Sequence, residues 1–284
     1  MASLPLDLLL SPPLLALLGL CVGSFLNVVI HRLPLMLERG WKLDSADLLG
    51  VKLDTPPAPI TLSTPRSRCP SCGHLIAWHQ NVPILSYLRL RGKCSACKTP
   101  ISPRYPIIEI LTSVLFGALA WKFGAQPVTL LWCGFAAVLV ALAGIDWDTT
   151  LLPDNLTLPL LWAGLVAAAL GWTIPLSSSV WGAVAGYLSL WTVYWLFKLA
   201  TGKEGMGFGD FKLLAALGAW LGANMVLPIV LAASLIGAVV GIAMKLNASL
   251  REGRYVPFGP FLAGAGMVVL LVGSPRVIDW LGWA

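Results

Sequence analysis

The sequence predicts an all-α polytopic membrane protein of about eight transmembrane helices, with one polar insertion between the first and second. Three observations predict it. Of 284 residues, 57% are hydrophobic and only 11% are charged, where a soluble domain carries roughly 25% charged residues. The apolar residues gather in runs close to the ~20 residues that cross a bilayer, and lipid-facing backbone must satisfy its own hydrogen bonds, which selects helices. One long polar stretch separates the first run from the rest.

The runs fall at residues 8–30, 106–123, 127–145, 156–174, 180–200, 211–225, 228–246 and 258–273. The apolar stretch 211–246 is too long for one span, and "GANMVLP", ending at Pro228, offers a turn that divides it. No cleavable signal peptide is expected. Residues 1–7 lack a basic stretch, and the first run continues into "GSFLNVVIHRLP" rather than a small-residue cleavage site.

Basic residues orient the spans. Segment 31–105 holds 11 of the 19 lysines and arginines against four acidic residues, which predicts a cytoplasmic location. With eight spans, segments 146–155, 201–210 and 247–257 face the same side. Only Lys122 and Arg276 then lie at outer ends, a split of 17 to 2, and both termini lie outside. The net charge of +6 is therefore a consequence of topology. Basic residues spread over membrane-flanking loops suit a lipid bilayer and argue against nucleic acid as a partner. Three regions follow: residues 1–30 as the first transmembrane helix, 31–105 as the insertion, and 106–284 as a membrane core.

Within the insertion, the polar, proline-rich stretch 40–68 is expected to be an irregular loop. "CPSCGH" and "GKCSACK" then place Cys69, Cys72, Cys94 and Cys97 in two C-x-x-C pairs with 21 residues between them. Four thiolates in two tight turns suit tetrahedral zinc. Two disulfides are the alternative, and a reducing cytoplasm argues against them. A closed set of four cysteines leaves no ligand position for water, so the zinc would be structural. His74 is expected to be a spectator, and Cys21 and Cys133 to be core residues.

Carboxylates near membrane depth are costly and default to function. Outside the insertion, the 247–257 segment and the last turns they are Asp7, Glu109, Asp146, Asp148, Asp154, Glu204 and Asp210. Asp146 ends the third run in "ALAGIDWDTTLLPDNLT", and Asp210 opens the sixth in "GMGFGDFK". Both are placed at one membrane face, where a bundle can bring them together across 64 residues of sequence. Two facing carboxylates in a low-dielectric site share a proton. One can then act as base toward water while the other polarises a peptide carbonyl. Asp210 also stands where a helix N-cap would, and Asp148 or Asp154 could cap the fourth helix. Glu109 reads equally as a polar contact between helices, and Glu204 as a solvated loop residue. The residues alone leave capping and catalysis both open.

A wider pattern resembles a known family. "GSFLNVVIHRLP", the cysteine pairs flanking "NVPILSYLRLRGK", "SPRYPIIEILT", "IDWDTTLLPDNLTLP" and "GKEGMGFGDFKLLAALGAWLG" occur in order over most of residues 19–225. Together they are similar to the bifunctional type IV prepilin peptidases, which are GxGD-type aspartyl peptidases. The resemblance implies a bacterial inner-membrane enzyme with its active site facing the cytoplasm. Its substrates would be type IV prepilins and type II secretion pseudopilins, cleaved after the glycine preceding a usually phenylalanine N-terminus. The new terminus would then be N-methylated with S-adenosylmethionine. By the same resemblance Asp146 and Asp210 are catalytic, with Gly207 and Gly209 completing the G-x-G-D motif. Cys69, Cys72, Cys94 and Cys97 would hold zinc, and the insertion, including Gly92 and Lys93, would serve methyl transfer. No G-x-G-x-x-G fingerprint marks a donor site.

Two structural expectations accompany this reading. The "TTLLPDN" bend could help form a substrate cleft, and the glycines before Asp210 could leave room for a peptide backbone. Competing classes are a peptidase without methyl transfer, a non-catalytic membrane scaffold, and a proton-coupled transporter. A transporter predicts acids near span centres and often repeated halves. Here the acids cluster at one predicted face and no repeat is visible.

Overall fold

The computed structural model describes residues 6–52, 58–246 and 256–283. Among them the helices are α1 (Leu6–Leu9), α2 (Pro12–Leu48), α3 (Leu85–Arg89), α4 (Arg104–Phe123), α5 (Pro127–Thr149) and α6 (Asp154–Ala169). They continue with α7 (Leu176–Thr201), α8 (Phe208–Leu221), α9 (Ala223–Leu246), α10 (Gly259–Val272) and α11 (Ser274–Leu281). Strand geometry in the described residues is limited to two isolated bridges. The fold is all-α, and its several long apolar helices make it a multi-pass membrane protein.

The eight apolar runs all fall on helices among the described residues. Run 8–30 crosses the α1–α2 break and run 211–225 the break at Gly222, and the helices differ in reach. Five (α2, α4, α5, α7 and α9) are long and apolar enough to cross a membrane, and α10 with α11, bent by 103°, makes up to six. With 16 and 14 residues, α6 and α8 extend only about 24 and 21 Å at 1.5 Å per residue, short of a ~30 Å hydrocarbon core. For α8 the reason is visible. From Asp210 to Leu221 every residue except Lys212 is buried, so protein rather than lipid sheathes it.

Three features differ from expectation. The break within 211–246 falls at Gly222, whose φ of +94° glycine adopts without a Cβ penalty. Pro228 instead lies inside α9 as its sixth residue, past the first turn, where it withholds one helical donor without ending the helix. Stretch 40–68 is not wholly irregular, since α2 continues through Pro34 to Leu48. At 37 residues it is about 55 Å long, nearly twice the hydrocarbon thickness. Third, Cys133 is buried as expected, but Cys21 is exposed.

The described residues form two compact units, the boundary falling within α5 between Ala137 and Val138. In the first, α2 and α4 meet through Gly19 and Gly23. A Cβ on either would lie 2.7 Å from the Cα of Ser113 or Glu109, so only a small-xxx-small stripe permits this approach. Ser113 Oγ donates to Ala16 O at 2.8 Å, and Asn27 Nδ2 to Tyr105 O at 3.1 Å.

In the second unit α8 is the axis. Gly182 and Gly186 of α7 lie against the backbone at Gly218 and Leu214 of α8. Ser179 Oγ donates to Ala219 O at 2.6 Å. On the α6 side Trp220 Nε1 donates to Leu160 O at 2.8 Å. Backbone contact and buried hydrogen bonds thus hold α8, and with it the start of the helix that carries Asp210.

Candidate functional site

Asp146 lies in the last turn of α5, and Asp210 is the third residue of α8. Both are buried, 5% and 8% exposed respectively. The chain between α5 and α6 makes the expected bend, with Thr150 at φ +53° and residues 151–153 outside any helix. Leu152 in that bend is the hub. A Cβ on Gly209 would meet Leu152 Cβ at 2.7 Å, and one on Gly259 would meet Leu152 Cδ2 at 3.1 Å and Asp146 Oδ2 at 2.6 Å. Gly209, the neighbour of Asp210, and Gly259, whose amide holds Asp146, therefore pack against one side chain. The space beside Gly209 is filled by Leu152 rather than left open.

The two carboxylates are held differently. The Gly259 amide, at the start of α10, donates to Asp146 Oδ2 at 2.9 Å. Asp210 Oδ1 is buried and has no hydrogen-bond partner. Nor does Asp210 cap its helix: the N-cap is Gly207, and no side-chain cap bond forms. Aromatic packing fixes this end of α8, with Phe208 centred 5.2 Å from Tyr194 and 5.3 Å from Phe211.

The remaining carboxylates have other surroundings. Asp154 does not cap α6, whose N-cap is Pro153; both its oxygens lie 2.7 Å from Lys212 Nζ. Glu204 pairs with Lys198 at 2.8 Å in an exposed setting. Asp148 and Asp7 are exposed. Glu109 is buried, and its Oε2 accepts the Ile84 amide at 2.8 Å, so it ties the insertion's backbone to α4 as well as meeting Ser24 of α2.

In the first unit the four cysteines come together, their sulfurs all within 4.8 Å of one another. Cys69 Sγ and Cys97 Sγ are 3.8 Å apart, the edge of a tetrahedron with zinc–sulfur bonds of about 2.3 Å, roughly 3.8 Å. Two matching turns make the cluster. Cys69 N donates to His74 O at 2.9 Å and Cys94 N to Thr99 O at 2.8 Å; Gly73 N then donates to Cys69 O, and Lys98 N to Cys94 O. Bridges Arg68–Leu75 and Lys93–Pro100 close them identically. Hydrogen bonding with the Thr99 side chain and backbone pulls the Cys97 thiol down to about 6. The His74 amide also pulls Cys72 down, but burial and the neighbouring sulfurs outweigh it and leave that thiol at about 11. The donor set fits a structural zinc, and His74 contributes backbone, not a ligand.

Gly92 has φ +66°, and a Cβ there would lie 3.0 Å from Tyr87 Oη, so its role in the fold is to turn the chain into the second cysteine pair. Lys93 is exposed. One buried group went unmarked in the sequence. Arg32, 9% exposed, donates to the carbonyls of Thr61, Leu62 and Pro65 at 2.9, 3.3 and 2.6 Å. Its only sequence signal was a basic residue just past an apolar run, which counted toward topology.

Fold and site define a polytopic all-α membrane protein that buries an aspartate pair and carries a four-thiol insertion. Residues 17–123 match the bacterial peptidase A24 N-terminal domain, and residues 133–242 the type IV leader peptidase family. Proteins called prepilin leader peptidase/N-methyltransferase are similar over nearly the whole chain. That of Stutzerimonas stutzeri is 49% identical, with 99% of each chain covered. That of Pseudomonas aeruginosa is 50% identical over 98% of each, and that of Aeromonas hydrophila 52% over 92% of this chain and 90% of its own. No solved structure matches. The chain belongs to the type IV leader peptidase family.

Proposed function

We propose that this enzyme is a membrane aspartyl endopeptidase of the bacterial inner membrane, acting at the cytoplasmic face. It removes the leader of type IV prepilins and type II secretion pseudopilins after glycine, then N-methylates the new terminus, usually phenylalanine. The observation that carries the reading is the burial of Asp146 and Asp210 around Leu152, in a chain about 50% identical to prepilin leader peptidase/N-methyltransferases. Asp7, Asp148, Asp154 and Glu204 are all exposed; the remaining one, Glu109, is buried in the first unit and holds the Ile84 amide.

In this mechanism one carboxylate, ionised, accepts a proton from water as its oxygen attacks the scissile carbonyl. The other, protonated, donates to the carbonyl oxygen. Leu152 fills the space between Gly209 and Gly259, so an extended substrate backbone must displace it to reach the carboxylates. Basic prepilin leaders meet an apolar helix at the membrane interface, the level at which Asp146 and Asp210 are placed by the sequence.

Cys69, Cys72, Cys94 and Cys97 would hold zinc and brace the insertion. S-adenosylmethionine would supply the methyl group. Methyl transfer is attributed to the insertion, including Gly92 and Lys93.

Mass analysis of a prepilin co-expressed with the enzyme tests both activities. Loss of the leader reports cleavage, and an added methyl reports transfer. Asp146→Asn and Asp210→Asn should each lower cleavage by a factor on the order of 10² to 10⁴ while leaving the protein folded in the membrane. Full activity in Asp146→Asn would move its role to another aspartate and sink the dyad.

A further inference from the structure

We infer that Gly259, at the first position of α10, is a positioning residue for the reaction: its amide holds Asp146 as the base of the dyad. This rests on the peptidase reading above.

Three observations meet there. The Gly259 amide donates to Asp146 Oδ2 at 2.9 Å in a buried setting. It is one of the first amides of a 14-residue helix, which have no partner within the helix and point the positive end of its dipole at the carboxylate. Asp210 Oδ1, also buried, has no partner. A backbone amide donating to a carboxylate favours its charged form, so the fold supplies fixed support for negative charge at Asp146. It leaves a free oxygen at Asp210, where a proton can be carried and given up.

The requirement for glycine follows from space. A Cβ at 259 would sit 2.6 Å from Asp146 Oδ2, closer than real contacts permit, and 3.1 Å from Leu152 Cδ2, a tight contact. Any other side chain pushes the carboxylate off the amide. The proton balance is then explicit. Water loses one proton to Asp146 as its oxygen bonds to the carbonyl carbon, and Asp210 gives its proton to the carbonyl oxygen. When the carbon–nitrogen bond breaks, the proton on Asp146 passes to the leaving amine, and Asp210 recovers the proton of the collapsing hydroxyl.

The test is kinetic, on full-length enzyme in detergent with a purified prepilin. Gly259→Ala should lower kcat about 10- to 100-fold with KM changed less than about twofold, because Asp146 is misplaced while substrate contacts remain. Gly264→Ala, in the same helix with nothing within 4 Å of the added carbon, should match wild type. Gly259→Ala combined with Leu152→Ala relieves the crowding at Leu152 but not at Asp146, and should remain slow. Recovery of the wild-type kcat in that double variant would reduce Gly259 to a packing role and overturn the inference. If Gly259→Ala fails to fold, hydrogen–deuterium exchange on peptides covering residues 256–262 decides. The Gly259 amide should exchange faster in Asp146→Ala than in wild type, and unchanged exchange overturns the proposal. Inactive Asp146→Asn and Asp210→Asn with a fully active Gly259→Ala would defeat only this inference. Full activity in both aspartate variants would defeat the peptidase reading itself.

Discussion

Asp146 and Asp210 differ from the other acids of the membrane core less in type than in surroundings. Asp154 has a lysine beside it, and Glu204 another, both on partly exposed ground. The Asp154–Lys212 pair should contribute at most about 1 kcal/mol, because solvent screens it. Lys212→Ala is accordingly expected to shift thermal unfolding only slightly. Arg32 is the opposite case, a buried guanidinium that holds three loop carbonyls. Arg32→Ala should cost about 3 kcal/mol, since three charge-assisted bonds are lost. Limited proteolysis should then cut near residues 58–66 faster than in wild type. Asp146 and Asp210 were visible in the sequence because charge is rare in such apolar surroundings. Gly259 was not, since a glycine that donates only its backbone amide looks like any other glycine.

At the level of elements, close backbone approach does much of the work. Gly182 and Gly186 of α7 admit α8 so closely that Gly182→Leu cannot be absorbed by rotamer changes. Overpacking of this kind costs about 1–3 kcal/mol or more, and a lower melting temperature in detergent, with misplacement of Asp210 and slower cleavage, is the expected outcome. The spacing of these glycines was present in the sequence, but nothing there said which helix they face. The two cysteine turns show another element-level asymmetry. Gly73 and Lys98 hold corresponding places, with φ of +71° and +61°, a left-handed conformation that costs a side-chain-bearing residue about 1–2 kcal/mol. Lys98→Gly should therefore be neutral or stabilising, and Gly73→Ala destabilising by about 1 kcal/mol, both read from the chelator concentration needed to release the metal.

For the whole molecule, the thiol cluster belongs to the first compact unit and the aspartate pair to the second. Cys94→Ser should remove bound zinc, measured by metal analysis, and loosen the insertion, measured by hydrogen exchange over residues 66–101. Cleavage should fall far less than in Asp210→Asn, because the Gly259 and Leu152 contacts of the aspartate site lie within the second unit. Acidification should release the metal as protons compete for the thiolates, so affinity rises with pH. Cleavage lost in parallel with metal across a series of cysteine variants would contradict this separation.

Composition and apolar run length by themselves established a multi-pass helical protein, and the paired C-x-x-C spacing established a four-thiol cluster. Both are local properties, set by how many residues must be apolar and how tightly a turn binds sulfur. The runs also located every long helix, yet they could not say how far each reaches. The reason is that α8 owes its burial to protein, and apolar residues look the same facing lipid or a neighbouring helix. Likewise the polar tail of α2 read as loop because a helix without an apolar stripe leaves no periodic signal. Only the tertiary structure decided that Leu152 joins Gly209 to Gly259, that an amide of α10 holds Asp146, and that Asp210 keeps one oxygen unpartnered. Those relations link residues 64 and 113 positions apart, and distance of that kind is settled by packing, not by neighbours in the chain.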